Sequence, residues 1–197
     1  DMANGAGTLA GCNVKDFIEA KFDFVDKMLQ WRECPPEPAR VLDVGCGIGG
    51  TSRHLAKSLG PKSQVQGITL SPNQVERATA LAKTQGVDNA SFQVMNALDL
   101  QFPDNTFDLV WACESGEHMP DKKKYVEEMI RVLKPGGKFV GMLYNRYSVA
   151  VAKLWFRHGL LAGKPWRSFD DIAWNYIESI GTKVYTIKDI EALFGSY

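Results

Sequence analysis

The segment VLDVGCGIGG, residues 41–50, joins an apolar run that ends in a carboxylate to a loop rich in glycine. Gly45, Gly47 and Gly50 have the G-x-G-x-x-G spacing, which lets a backbone approach a ligand closely and leads it to the N-terminus of a helix. The run over residues 39–44 is nearly all apolar, as expected of a strand that is buried on both faces. The segment therefore predicts a strand, a ligand-binding loop and a helix, in that order.

The composition is that of a globular protein. The chain has 197 residues, of which 45% are hydrophobic and 11% aromatic, so one domain can bury a substantial core. Its 23 basic and 23 acidic residues give a formal net charge of zero, which argues against a broad attraction to nucleic acid or to an anionic membrane and leaves a local charged patch open. No apolar run reaches roughly 18 residues, so no membrane-spanning helix is indicated. At the N-terminus no basic region precedes an apolar one, so no secretion signal is indicated either.

The cysteines are far apart in the sequence and form no C-x-x-C pair. This spacing argues against both a zinc site and a disulfide framework. We therefore expect no metal and a reducing intracellular compartment.

Short apolar runs alternate with helical patterns from residue 39 onward. This alternation is typical of an α/β fold in which a mostly parallel sheet carries helices on both faces. Thr51 or Ser52 is a possible N-cap of the first helix, and Ser71 with Gln74 forms a capping box ahead of the second. The predicted strands cover residues 39–44, 64–69, 91–95, 107–112 and 138–143, and the predicted helices cover 50–59, 72–86 and 122–133, the last ended by KPGG at 134–137.

The two ends of the chain have helical patterns without strands. Residues 14–31 place most of their apolar side chains on one helical face, which predicts a helix packed over the domain. Three short helices are predicted after Leu143, at 148–159, 168–177 and 186–194, the last two opened by Ser-x-x-Asp and Thr-x-x-Asp boxes. We therefore divide one domain, residues 1–197, into an N-terminal helical segment (1–37), a cofactor-binding core (38–143) and a helical lid or tail (144–197).

The glycine loop lacks the carboxylate that a dinucleotide site needs. Such a site has an Asp or Glu about 20 residues beyond the glycines, yet none lies between Asp43 and Glu76. Asp43 itself would repel a pyrophosphate and attract a cation. The loop therefore predicts a nucleoside that carries positive charge, and S-adenosylmethionine fits this description. The alternative is that Asp43 only caps the loop or the following helix.

Four segments together resemble a known family. VLDVGCGIGG, GITLSPNQ, FPDNTFDLVWACESGEHMPD and RVLKPGG, in this order and spacing, look like the class I S-adenosylmethionine-dependent methyltransferases. Within that class the core is most similar to the tocopherol and methyl-phytyl-benzoquinone C-methyltransferases, over roughly residues 14–141. The resemblance implies a Rossmann-like class I methyltransferase sheet, mostly parallel, with helices on both faces and with helical additions at both ends.

The resemblance also implies which residues hold the cofactor. Asp43 would orient the ammonium group, while Asn96 would accept from the adenine amino group where the family has an aspartate. Gln74 would contact the ribose, although its place in the capping box explains it equally without a ligand. The implied cofactor-binding residues are Asp43, Gly45, Gly47, Gly49, Thr69, Leu70, Gln74, Asn96, Ala97 and Leu98.

The segment CESGEHMPD, residues 113–121, carries the candidates for catalysis. Methyl transfer requires a base near the methyl group, at the carboxyl edge of the sheet. We predict Glu117 as the base or phenol-orienting group and His118 as the next candidate, although a structural histidine is equally consistent with the sequence. Glu114 would help to hold the cofactor or the loop, and Asp121 would cap the following helix.

The predicted function is methyl transfer from S-adenosylmethionine to the carbon of a small, lipophilic aromatic acceptor such as a prenylated hydroquinone or a tocopherol. The alternatives are an O- or N-methyltransferase of another small metabolite or lipid, and an inactive cofactor-binding partner subunit. No nucleic acid partner is expected, and a homo-oligomer remains open. The location would be the cytoplasm, or a plastid if the source is a photosynthetic eukaryote.

Residues 144–197 differ from the tocopherol enzymes and mix aromatic with basic side chains. Three interpretations are open: a helical lid over an apolar acceptor, a peripheral contact with a membrane surface, and plain packing of the aromatic rings. The sheet of the resembled class ends in an antiparallel pair of strands, for which this tail has no pattern. We therefore expect the edge of the fifth strand to be covered by the tail or by a partner chain.

Overall fold

The computed structural model describes residues 16–31, 37, 39–113, 115–116, 119–177 and 183–195. Five strands form one parallel sheet: β1 (Arg40–Val44), β2 (Gln64–Thr69), β3 (Ala90–Val94), β4 (Phe107–Ala112) and β5 (Leu133–Gly141). Their order across the sheet is β3-β2-β1-β4-β5. The strand order reverses at β1, so a crevice opens beyond its carboxyl end, where α/β proteins bind their ligands.

Seven α-helices accompany the sheet in the described segments. They are α1 (Phe17–Trp31), α2 (Gly50–Ser58), α3 (Pro72–Thr84), α4 (Lys122–Val132), α5 (Val149–Trp155), α6 (Phe169–Tyr176) and α7 (Ile187–Phe194), and a π-helical turn, Phe156–Leu160, continues α5. The predicted alternation of strands and helices is therefore confirmed. Among these helices, none combines the length and the apolar character needed to cross a bilayer.

Alternate residues of the central strands pack into two cores, one on each face of the sheet. Val41 and Leu109 join one core with Val25 and Leu29 of α1, as the prediction of a helix packed over the domain requires. Neighbouring strand residues point the other way and pack against α4. Because β1 and β4 are covered on both faces, their sequences are almost continuously apolar.

The prediction that Thr51 or Ser52 caps α2 is wrong. The helix begins at Gly50, and its N-cap is Gly49, which has a left-handed backbone (φ 73°) and offers no side chain. Ser52 instead lies inside the first turn and donates its hydroxyl to Asp43 at 2.5 Å. The glycine loop thus leads into the helix through its backbone geometry alone.

The fifth strand begins earlier than predicted. It spans Leu133–Gly141 in place of residues 138–143, so KPGG lies within the strand and α4 ends one residue sooner, at Val132. Phe107 pairs with Leu133, and the register then shifts before Leu109 pairs with Lys138. The irregular segment includes Gly136 with φ 76°, so the bulge accommodates residues that in sequence predict a break.

The predicted helix caps are confirmed to different extents. Asp121 caps α4 by accepting from the Lys124 N–H at 3.0 Å, and Thr186 forms a complete capping box at the start of α7. Ser71 accepts from the Gln74 N–H, but the Gln74 side chain turns away from the box. At α6, Ser168 accepts the backbone bond while the carboxylate of its partner Asp171 pairs with Arg167.

The tail forms a small core of its own beside the sheet. Val151, Ala173 and Val184 are its buried members. The backbone beyond β5 pairs with the tail through an isolated parallel bridge between Asn145 and Tyr185. The tail also reaches β5 where the ring of Phe194 packs on Phe139, in the core on the face that α4 covers; cover of the strand's edge stays a prediction.

Candidate functional site

The glycine loop follows β1 closely because its glycines adopt backbone angles that other residues avoid. Gly45, Gly47 and Gly49 have φ values of 77°, 55° and 73°. A Cβ atom on Gly45 would lie 2.5 Å from Ser115, and one on Gly49 would lie 2.5 Å from the ring of Phe92. Gly47 has no neighbour within 4 Å at that position, so its backbone faces open space in which a ligand could lie.

The Asp43 carboxylate is buried at the end of β1, with 3% of the residue exposed. It accepts hydrogen bonds from the hydroxyl and from the backbone N–H of Ser52. Burial nevertheless dominates and raises the pKa of Asp43 to about 6. The predicted capping role and the predicted ligand role are compatible, because a carboxylate offers about four acceptor positions.

A cavity of about 780 Å³ opens next to Asp43. The glycine loop forms one wall through Gly45 and Gly47. The rest of the lining is mainly apolar and comes from α1, β4 and the segment after β5, including Phe22, Phe24, Val25, Trp111 and Met142. The site therefore combines a polar end that suits a cation with an apolar end that suits an organic acceptor.

The Cys46 thiol also lines this cavity but is not poised as a nucleophile. Burial raises its pKa to about 12, and the nearby Asp43 carboxylate acts in the same direction. The side chain is therefore a neutral thiol near pH 7, whereas a nucleophilic cysteine requires a thiolate. The geometry does not favour covalent catalysis through Cys46.

The residues predicted around the ribose lie at the junction of β2 and α3. The Thr69 hydroxyl donates to the Gln74 side-chain oxygen at 2.7 Å, while Leu70 stands 66% exposed beside them. Thr69 and Gln74 are thus positioned by each other, and the Gln74 amide group keeps its N–H donors. None of the three residues lines the Asp43 cavity, so they extend the site along the sheet edge.

The residues predicted at the adenine follow β3. Asn96 uses its side-chain oxygen to accept from the Leu98 N–H at 3.0 Å, and Ala97 between them is buried. The amide oxygen retains a second lone pair that can accept from a ligand. Because β1, β2 and β3 are parallel neighbours, the predicted cofactor residues come together at one edge of the sheet.

The predicted catalytic residues Glu117 and His118, and also Glu114, lie outside the described residues. The described parts of their loop are tied to α4. Ser115 shares a hydrogen bond of 3.0 Å with the Tyr125 hydroxyl, and the Lys122 ammonium group donates to the carbonyl oxygens of Gly116 at 2.6 Å and of Met119 at 2.7 Å. The loop is therefore anchored on both sides of the predicted base.

A second cavity of about 640 Å³ lies between α4, β5 and α7. Met142 lines both cavities, and Gly116 of the loop after β4 lines the second. No residue beyond Met142 lines the Asp43 cavity within the described part of the chain, so the lid interpretation of the tail stays a prediction.

Three residues that shape the glycine loop are not identified as site residues by the sequence analysis. Ser52 holds Asp43, while Phe92 and Gly67 shape the floor under the loop: a Cβ atom on Gly67 would lie 2.7 Å from Phe92 and 2.9 Å from Cys46. The available signal was the glycine inside the strand QVQGIT, since an isolated glycine in a strand marks a close approach of another group. Nothing in the local pattern identifies Phe92.

The comparison with known families agrees with this geometry. Residues 41–137 match the family model for a methyltransferase domain, and the parallel sheet with its glycine loop has the fold of the class I methyltransferases. Among solved structures, a SAM-dependent methyltransferase from Aquifex aeolicus is 26% identical, with a TM-score of 0.58, and the match covers 63% of this chain and 65% of that one.

The curated relatives include methyltransferases named for a phytyl hydroquinone and for tocopherol. The 2-methyl-6-phytyl-1,4-hydroquinone methyltransferase of Synechocystis sp. is 52% identical over 134 residues, which cover 67% of this chain and 41% of that protein. The chloroplastic tocopherol O-methyltransferase of Arabidopsis thaliana is 57% identical over 102 residues, which cover 51% of this chain and 29% of that protein. The chain thus spans less than half the length of either curated relative.

Proposed function

We propose that this chain transfers a methyl group from S-adenosylmethionine to a small, lipophilic aromatic acceptor. The observation that carries the proposal is the buried Asp43 carboxylate, which faces a large cavity beside a glycine loop. A carboxylate at this point attracts the ammonium and sulfonium charges of the cofactor and repels a pyrophosphate. The methyltransferase family match supports the same cofactor.

The residues of the site fit this cofactor in charge and in shape. The open backbone at Gly47 leaves space for the methionine part, and the exposed Leu70 offers an apolar surface to the nucleoside. Gln74 and Asn96 offer an amide donor and an acceptor for the ribose and the adenine. When bound, the cofactor supplies a methyl carbon that is electrophilic because it is attached to a sulfonium.

The acceptor class follows from the apolar end of the cavity. Phe22, Phe24 and Trp111 can contact an aromatic ring, and Met142 adds an adaptable thioether. The two curated relatives are named for a phytyl hydroquinone and for tocopherol, which are prenylated aromatic compounds. We therefore propose a prenylated hydroquinone or phenol as the acceptor, methylated at a ring carbon; the name of the Arabidopsis relative keeps O-methylation as the alternative.

The chain's part in the chemistry is to orient the acceptor and to remove its proton. Deprotonating a ring hydroxyl raises the electron density at the adjacent ring carbon, whose electron pair would form the bond to the methyl carbon while the methyl–sulfonium bond breaks. The neutral thioether would leave, and the methylated ring carbon would then lose its own proton, which restores the aromatic ring. We propose Glu117 for the deprotonation of the ring hydroxyl and His118 as the second candidate.

Calorimetric titration with S-adenosylhomocysteine tests the cofactor site directly. We expect binding of the micromolar order for this ligand and none for NAD, whose pyrophosphate Asp43 would repel. Asp43→Asn should remove most of the affinity, while Asn105→Ala, at a turn far from the loop in sequence, serves as the control that keeps it. Binding of NAD alone would overturn the proposal.

Turnover with labelled S-adenosylmethionine tests the acceptor and the base. Prenylated hydroquinones should accept the label, and the mass and NMR spectra of the product distinguish ring-carbon from oxygen methylation. Glu117→Gln should lower kcat by about 100-fold or more with unchanged affinity for S-adenosylhomocysteine. Full turnover of this variant would exclude Glu117 as the base, and cofactor binding without any acceptor would favour the inactive partner subunit.

We also propose a plastid location for the case that the source is a photosynthetic eukaryote, which the chloroplastic Arabidopsis relative supports. The absence of a C-x-x-C pair is consistent with a reducing compartment. Fractionation of cells of the source organism with an antibody against the chain tests this proposal, and recovery from the cytoplasm would contradict it.

A further inference from the structure

The loop at residues 160–166, which runs from the last residue of the π-helical turn toward α6, is exposed along its whole length. Leu160, Leu161 and Trp166 keep 45%, 69% and 77% of their surfaces in water, and Phe156 in the turn before them keeps 51%. Large apolar side chains usually lie inside a protein, and a patch of them on the surface marks an interaction site. Four such residues here fall within one short segment.

Hydrogen bonds at both ends fix the conformation of this exposed loop. The Lys164 N–H donates to the Gly159 carbonyl oxygen at 2.8 Å and closes the loop at its start. The Trp155 indole N–H donates to the Arg167 carbonyl oxygen at 2.8 Å and fixes its end. The Arg167 guanidinium then lies over the ring of Tyr176 at 5.1 Å. The loop is therefore presented by α5 and α6 as a shaped surface.

The charged side chains in the sequence around the loop are basic. Residues 129–169 contain no Asp or Glu, although the whole chain has equal numbers of acidic and basic residues. Two arginines of the tail are neutralised by α6, Arg146 by Asp170 and Arg167 by Asp171. In the tail around the loop, three further basic residues are exposed and have no acidic partner among the described residues: Lys153, Arg157 and Lys164.

We propose that the 160–166 loop and Phe156 dock on the surface of an anionic lipid bilayer. Trp and Leu side chains gain free energy when they enter the boundary between headgroups and acyl chains. Lys and Arg beside them extend toward the lipid phosphates, and each is attracted by the negative surface potential. Lys164 lies in the loop itself, and Lys153 and Arg157 lie just before it in α5 and the π-helical turn, so both kinds of side chain occur within one short segment.

A lipid surface fits this patch better than a second copy of the chain does. Symmetric pairing would bring the same basic side chains of both copies together. With no acidic residue in the segment to offset them, these charges would repel each other. The docking requires neither cofactor nor turnover, so it is independent of the proposed methyl transfer.

Co-sedimentation of the purified chain with vesicles tests the proposal. Vesicles of phosphatidylcholine mixed with phosphatidylglycerol should pellet the protein, and vesicles of phosphatidylcholine alone should pellet much less. Raising the salt to about 0.5 M should release most of the bound protein, because it screens the charge attraction. Size-exclusion chromatography with light scattering measures the oligomeric state of the same sample.

Two sets of variants separate the apolar from the electrostatic contribution. Leu161→Ser with Trp166→Ser should weaken partitioning by at least about tenfold, while Val94→Ser on the exposed side of β3 serves as its control. Lys153→Gln, Arg157→Gln and Lys164→Gln together should weaken it on the order of 100-fold, since each charge contributes about fivefold. The matched control replaces three exposed basic residues elsewhere by Gln: Lys57, Arg77 and Lys83.

Three results would overturn the proposal. The first is no sedimentation with anionic vesicles. The second is sedimentation that the loop variants and their controls reduce equally. The third is a dimer in light scattering that the Leu161 and Trp166 changes dissociate, which would make the loop a contact between copies. Circular dichroism of each variant confirms that the fold is retained, as expected for exposed positions.

Discussion

At the scale of single residues, the site depends on keeping Asp43 charged where burial opposes the charge. The carboxylate is placed at the end of β1 by the sheet and is supported by Ser52. Its pKa of about 6, against an ordinary value of 3.8, means that ionisation costs the ligand-free protein stability at neutral pH. A cationic ligand would offset this cost, so stability and binding oppose each other at this residue.

Asp43→Asn should therefore stabilise the ligand-free chain at pH 7 by about 2–3 kcal/mol, while it weakens binding of S-adenosylhomocysteine. The folded wild-type chain takes up a proton as the pH falls through about 6, whereas the unfolded chain does so near 3.8. The difference in the free energy of unfolding between the wild-type chain and Asp43→Asn should therefore shrink as the pH falls from about 6 to 3.8, and it should vanish below 3.8. Urea unfolding of both forms between pH 4 and pH 8 measures the difference, and a gap that does not change with pH would contradict the account.

The pH dependence of cofactor binding should follow the same group. A bound ammonium favours the ionised carboxylate, so acid opposes binding. We expect the Kd of S-adenosylhomocysteine to be flat above pH 7 and to rise by about tenfold per pH unit below pH 6. Calorimetry at several pH values tests this, and the Asp43→Asn chain should show no such slope. An equal slope in both forms would assign the pH dependence to another group.

The glycine loop allows a steric prediction with a matched control. An alanine at Gly49 meets the ring of Phe92 at 2.5 Å and also has a left-handed φ of 73°. An alanine at Gly86 has a similar φ of 62° with nothing within 4 Å. Gly86→Ala should cost about 1 kcal/mol and Gly49→Ala about 1–3 kcal/mol more, because Gly49→Ala adds a clash to the strain. Equal losses in thermal unfolding would mean that Phe92 moves aside freely.

The site residues differ in how far the sequence identifies them. Asp43 and the glycines stand out because their types and spacing relate to ligand chemistry. Ser52 and Phe92 come from other elements and meet the loop only through the fold, so no local pattern marks their role. Gln74 is a similar case: the sequence predicts its side chain in a capping box, whereas in the structure that side chain accepts from the Thr69 hydroxyl.

At the scale of elements, Arg131 ties α4 to the segment between β3 and β4. Its guanidinium donates to the carbonyl oxygens of Leu100 and Phe102 at 2.8 Å each, and also pairs with Glu128 and Asp104. Glu128 in turn accepts from the Leu100 N–H at 2.7 Å, and its pKa lies below the usual range mainly because of the bond from Arg131. One side chain thus closes a network across two elements.

Arg131→Met should lower the free energy of unfolding by about 2–4 kcal/mol, since it leaves backbone carbonyls and a carboxylate without their donor. Lys123→Met on the same helix is the control. Its ammonium is mostly exposed and pairs with Glu127 at 3.7 Å, so its loss should cost less than about 0.5 kcal/mol. Urea unfolding measures both, and a similar small loss in both variants would show that the network adds little.

The elements were predicted well where side-chain periodicity and caps agree, as in β2 and α3. The fifth strand was less predictable because KPGG contains the two residues that usually end regular structure. Its place in a strand depends on pairing with β4, a neighbour distant in sequence. The predicted N-cap of α2 at Thr51 or Ser52 is wrong for a related reason, since a left-handed glycine can precede a helix without any side-chain cap.

At the scale of the whole molecule, two packing units share the chain. The sheet is covered by helices on both faces, whereas α5 and α6 pack around a few residues of their own. Sequence patterns predicted the helices of both units, but they did not indicate the strand order or the separate core of the tail. Both depend on contacts between elements that are distant along the chain.

The small core of the tail should make it open more readily than the sheet. Hydrogen exchange should show amides of α5 and α6 exchanging through a local opening, while amides of β1 and β4 exchange through global unfolding. Val151→Ala should lower the protection of the tail by about 1–3 kcal/mol and leave the sheet unchanged. Val41→Ala, at an equally buried site in β1, should lower the protection of the sheet.

These two alanine variants test whether the tail and the sheet unfold separately or as one cooperative unit. If Val151→Ala reduced protection in β1 as much as in α5, the tail and the sheet would unfold together, and the bridge between Asn145 and Tyr185 would be strong enough to couple them. If only the tail responds, it can change shape without disturbing the cofactor site, because the Asp43 cavity is built from the sheet, its loops and α1. In that case a contact made by the 160–166 loop would leave the affinity for S-adenosylhomocysteine unaltered.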